Sequence, residues 1–166
     1  MRKLVLVVAL SLLHGIASAE VDQKVESLRG VKKLSVLVED LNPDLEKDGV
    51  TKSQLQTDVE VRLRKAGLTV DGNEGPYLYV RVSAVKYEKS TKIEPFYVLG
   101  FSVFLNQPVT VVSNGVSVYA STWEKGSVAI CGLSGLDCVR RHVAEKVDLF
   151  LRDYLSVNPP ARPVKE

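Results

Sequence analysis

Cys131 and Cys138, in the stretch ICGLSGLDCV, are the only thiols of the chain. A thiol pair can serve as a redox centre, as part of a metal site or as a structural staple. The C-x6-C spacing is not the C-x-x-C of thioredoxin-like proteins, and two thiols are too few for a structural zinc. In an oxidising compartment such a pair normally forms a disulfide. The expectation is a Cys131–Cys138 bond between the end of the last strand and the first turn of the last helix. A thiol near a helix start is made more acidic by the helix, so a thiol-disulfide redox role stays open as an alternative.

Other chemistry is sparse. Of two histidines, His14 falls in the leading apolar segment, leaving His142. Helical spacing turns His142 away from the apolar stripe, toward solvent beside Arg140, Arg141 and Glu145. A lone, loosely held imidazole is a poor general base. Neither H-E-x-x-H, G-x-S-x-G nor a phosphate-cradling glycine loop occurs. The expected catalytic set is therefore none, with no cofactor, and the chain reads as a non-enzyme. Asp40, Asn42, Asp44, Glu46 and Asp48 alternate along one acidic stretch, as calcium ligands do. Leu45 stands where an EF-hand needs glycine and Thr51 where it needs a bidentate glutamate, so the favoured reading is a solvated loop.

The compartment is written at the amino end. Arg2 and Lys3, an apolar run over 4–13, and Ala17-Ser18-Ala19 follow the order of a cleaved secretory signal. The run is shorter than the roughly 20 apolar residues of a membrane span. Residues 1–19 are expected to be removed, with no nearby cysteine to carry a lipid. The product would be periplasmic or secreted, without membrane insertion. Losing Arg2 and Lys3 from 22 basic and 20 acidic residues leaves the charges equal. A neutral chain lacks the electrostatic footprint of nucleic-acid binding.

The remaining sequence must position these groups. Residues 20–33 read as a loose lead-in, 34–157 as a single α+β domain and 158–166, rich in proline, as a mobile tail. KLSVLVEDL alternates as a largely buried strand. Thr51 and Gln54 have capping-box spacing, Leu55, Val59, Leu63 and Ala66 recur at helical period, and Gly67 stops the helix expected over 52–66. Leu68-Thr69-Val70 returns as strand. Three long extended segments then form a meander. Pro108 marks a bulge or edge, and Ser113-Asn114-Gly115 a hairpin turn. Ser134 and Asp137 cap a closing helix whose stripe is Leu136, Val139, Val143, Val147, Phe150, Leu151 and Tyr154.

The order β-α-β-β-β-β-α gives two helices for four or five strands. They can cover one face, which predicts a two-layer sandwich with a mixed, mostly antiparallel sheet. Alternation puts Tyr79, Arg81, Tyr119 and Trp123 on the opposite face. These residue types are enriched at binding hot spots, and equally pair across strands to stabilise a sheet.

The cadence of KLSVLVEDL, the helix ending RLRKAGLTV, the meander and the closing helix resembles small bacterial envelope accessory domains. These include the amino-terminal domain of the translocation protein TolB and outer-membrane assembly or transport-auxiliary domains. The resemblance covers about residues 34–156 and implies a non-catalytic binding or assembly role. The implied partner is another envelope protein or a small ligand, with a homodimer as a further option. A small secreted enzyme inhibitor is the competing reading.

Overall fold

The computed structural model describes residues 22–72, 75–88, 90–91, 93–133 and 137–160. The segment expected to direct export, Ser134, Leu136 and the end of the tail lie outside these residues. The elements are α1 (Gln23–Glu26), β1 (Lys33–Val38), α2 (Pro43–Lys47), α3 (Lys52–Lys65), β2 (Thr69–Val70), β3 (Tyr77–Tyr87), β4 (Phe96–Thr110), β5 (Ser117–Gly132) and α4 (Asp137–Val157). The five strands form one open mixed sheet in the order β2-β1-β3-β4-β5. β1 runs parallel to β2 and β3, while β3, β4 and β5 are antiparallel neighbours. The molecule is thus an α+β two-layer sandwich.

Alternation decides which side of the sheet is wet. Leu34, Val36 and Val38 of β1 are buried, as are Leu78, Val80 and Val82 of β3 and Leu99, Phe101, Val103 and Leu105 of β4. Helix α3 presents Leu55, Val59 and Leu63 to this side. Helix α4 presents Val139, Val143, Val147, Phe150 and Tyr154. Burial of these branched chains is the main stabilising term, at about 1.5–3 kcal/mol for each full side chain. Both hydrogen bonds of the α3 capping box are made: the Gln54 amide donates to Thr51 Oγ1, and the Thr51 amide donates to Gln54 Oε1. Two ion pairs clamp the helices together, a forked Arg140–Asp58 pair and Arg62–Asp148 at 2.8 Å.

Three expectations need correction. The lead-in is packed: α1 forms there, Leu28 is fully buried, and the Asn158 side chain donates to Leu28 O while its oxygen accepts from the Gly30 amide. The acidic stretch contains a helical turn, because Asn42 caps the Asp44 amide, Pro43 suits the first helical position, and Leu45 fills the core. His142 sits beside Glu145 as expected but is only partly exposed. Its ring lies 5.1 Å from that of Phe101, and Nδ1 is 3.0 Å from Glu145.

A fourth difference is a bulge in β5. Leu105 pairs with Trp123, but the next residue, Asn106, pairs with Ser121, so Thr122 is an extra residue in β5. A bulge of this kind inverts the side-chain phase on one side of it. It is held by Ser27, whose hydroxyl donates to Thr122 O, and by Gln107, which donates to Thr122 Oγ1 at 2.8 Å. The irregularity expected at Pro108 thus falls two residues earlier and displaces the partner strand.

Candidate binding face

Because α3 and α4 both pack on one side, the other side of β3–β4–β5 carries an ordered grid. From one end it reads Tyr77–Asn106–Ser121, Tyr79–Phe104–Glu124, Arg81–Ser102–Gly126, Ser83–Gly100–Val128, Val85–Val98–Ile130 and Tyr87–Phe96–Gly132. Aromatic and charged groups occupy the first rows, small residues the middle, and an apolar band the last three.

At the aromatic end, the Tyr77 and Tyr119 rings are 5.8 Å apart, and the Tyr119 hydroxyl donates to Gly75 O. Tyr79 lies 6.2 Å from Phe104, and burial pushes its phenol up, with the Glu39 carboxylate adding to the shift. The Arg81 guanidinium stands 5.5 Å from the Phe104 ring centre, a cation–π distance. Lys24 and Glu124 form an ion pair at 3.0 Å beside it. These groups border a depression of about 460 Å³ whose floor includes Ser102 and Gly126. Gly126 fits closely there, since a Cβ would stand 3.0 Å from Phe101 O.

At the apolar end, Val85, Val128 and Ile130 are 70%, 75% and 70% exposed and neighbour one another across the strands through Val98. Tyr87 stacks on Phe96 at 4.9 Å to close the band. A contiguous apolar patch is unusual on a soluble surface, whereas single exposed valines are not.

Of the four aromatic and basic residues expected on this face, Tyr79, Arg81 and Tyr119 are there. Trp123 is not. The Thr122 bulge turns it to the helix side, where it is 1% exposed. Its ring meets Phe150 edge-on at 5.2 Å, and its indole N–H donates to Asp153 at 3.1 Å. That bond, with the Arg152 guanidinium on the other oxygen, accounts for the buried Asp153 carboxylate. Phe104, Val98, Val128 and Ile130 belong to the face and were not singled out from sequence. The signal was the two-residue period of Val128 and Ile130.

The acidic residues are dispersed by the turn of α2. Asp40 binds Lys52, Asp44 binds Lys47, and Asp48 accepts from the Tyr97 hydroxyl at 2.7 Å and from Lys86 at 3.0 Å. Asn42 is spent on the cap and on Ala84 O. Among the described residues no group of three potential metal ligands converges. Cys131 and Cys138 lie at disulfide distance, their Cα atoms 6.3 Å apart, on the helix side of the sheet. No described helix is long and apolar enough to cross a membrane.

The fold and face define a sandwich with one sheet surface left bare. No protein-family model matches the chain, and no curated protein matches it. Among solved structures it is similar to a minor lipoprotein from Acinetobacter baumannii, at 16% identity and a TM-score of 0.42, over 81% of this chain and 99% of that one. It is also similar to the PelC dodecamer from Paraburkholderia phytofirmans, at 21% identity and a TM-score of 0.37, over 72% and 86%. Similarity at this level transfers no residue role.

Proposed function

We propose that this protein is an exported, non-enzymatic binding or assembly module of the periplasm or cell envelope, and that it recognises its partner with the bare face of β3–β4–β5. The observation that carries this is the grid itself. A guanidinium held over Phe104 borders a depression, and an apolar band of Val85, Val98, Val128 and Ile130 continues from it. Anchors of this kind combine desolvated contact area with an orienting charge. The partner would be another envelope protein or a small ligand with an apolar surface and an anionic group.

The test is affinity capture from envelope extract, followed by binding of the purified partner to wild type, Arg81→Ala and Val85→Asp. Both side chains are exposed, so the fold should survive, as circular dichroism would check. Binding of the captured partner should weaken at least about tenfold in each variant, the order expected for a contributing interface residue. Unchanged affinity in both variants would remove the face from consideration.

A further inference from the structure

β5 ends the strand order, so one of its edges pairs with β4 and the other, among the described residues, meets no strand. It is 16 residues long. Long exposed edges are a liability that proteins usually blunt with bulges, charges or covering segments. The first half of β5 has all three. Thr122 bulges, Ser27 covers its carbonyl, Glu124 is paired with Lys24, and Lys125 puts a charge in the strand. The second half, residues 126–132, reads GSVAICG and, among the described residues, has none of them. It carries no charge and no proline, and its register with β4 is unbroken from Gly126 opposite Ser102 to Gly132 opposite Phe96. Two of its side chains, Val128 and Ile130, are mostly exposed.

We infer that this unguarded half-edge pairs antiparallel with the same segment of a second copy, about a twofold axis at Ala129, joining two five-stranded sheets into one of ten. A segment without charge meets its own copy with no like-charge repulsion, and a twofold makes one surface complementary to itself. Pairing about Ala129 sets Val128 against Ile130 of the partner subunit, an apolar pair of the type that stabilises adjacent strands. Ser127, Ala129 and Cys131, on the other side of the pleat, are small. The apolar band then runs without a break across both subunits. Seven residues span roughly 20 Å of edge, which buries less than a standard interface, so the pair forms in a concentration-dependent way. The inference does not rest on the proposed function: a twofold perpendicular to the sheet leaves both bare faces open, on the same side.

The test is sedimentation of the exported, purified protein across a wide dilution series, with hydrogen exchange at both ends. Wild type should shift from the mass of one chain toward twice that mass. The amides among residues 127–131 that point to the free edge, every second one, should gain protection only at high concentration, a readout that needs no substitution. A variant carrying both Val128→Lys and Ile130→Lys sets lysines directly opposite lysines and should remain at the mass of one chain. Val85→Lys, equally exposed but on β3, should still dimerise. A single-chain mass at every concentration overturns the inference, as does a dimer that survives the paired lysines or dissolves with Val85→Lys. In the last case the copies would meet face to face.

Discussion

Trp123 and Tyr119 are four residues apart on the same strand, and strict alternation would give them the same surroundings. Tyr119 is 54% exposed, and Trp123 fills the space between β5 and α4. Their substitutions should therefore separate widely. Trp123→Ala leaves a large cavity beside Phe150 and strips a donor from the buried Asp153 carboxylate, costing about 3–5 kcal/mol. Tyr119→Ala loses an exposed ring contact and one surface hydrogen bond, and should cost about 1 kcal/mol or less. Urea denaturation of the two variants measures the difference. Equal costs would mean that the bulge does not set the phase of β5.

At the scale of elements, what was legible depended on how local the cause was. The α3 helix was readable because its cap, its apolar spacing and Gly67 all lie within the segment. The strands and the two-layer arrangement followed from period-2 alternation and from the number of amphipathic helices. The Thr122 bulge was not readable: what holds it are Ser27 and Gln107, remote in sequence, and one extra residue leaves no mark on composition. The α2 turn was missed because alternating acids resemble a loop, while its cap and buried Leu45 act through the tertiary fold. A second long-range tie is the Asp48–Tyr97–Lys86 cluster, which fastens the α2–α3 connection to the ends of β3 and β4. Burial, then the hydrogen bond to Asp48 and its negative charge, pushes the Tyr97 phenol up to about 12. The Tyr97 bond, followed by Lys86, holds the Asp48 carboxyl below its ordinary value. A raised phenol contributes stability that is complete below the ordinary tyrosine range of about 10 and lost as pH climbs toward the folded value. A lowered carboxyl contributes stability above the ordinary carboxylate range that is lost as pH falls through the folded value. Tyr97 should give a late step at a pH of about 12 in an ultraviolet titration, and Tyr97→Phe should abolish that step. An ultraviolet titration unchanged by Tyr97→Phe at that late step would show that the tie is not formed.

At the scale of the whole molecule, the two layers are joined by packing and by one covalent candidate, while salt links between α3 and α4 hold the helix layer together. Cys131 lies one residue before the end of the last strand, within the core, and Cys138 lies in the first turn of α4, packed against that core. A bond between them would fix the start of α4 over the sheet, and α4 supplies Phe150 to Trp123 and Asp153 to its indole. The closed loop is short, so in the chain-entropy account the bond contributes about 2.5 kcal/mol, near the lower end of what native disulfides provide. For a domain of this size that corresponds to a melting temperature lower by roughly 5–10 °C in a variant carrying both Cys131→Ala and Cys138→Ala. The bond lies on the helix side, away from the grid of Arg81, Val85 and Val98, so partner binding by that face should persist below the new melting point. Calorimetry together with the capture assay reads both consequences at once. If the protein purified without reductant contains two free thiols and melts with the double variant, the staple is absent. If instead partner binding is lost while the melting temperature is unchanged, the thiols themselves belong to the function, and the redox reading returns.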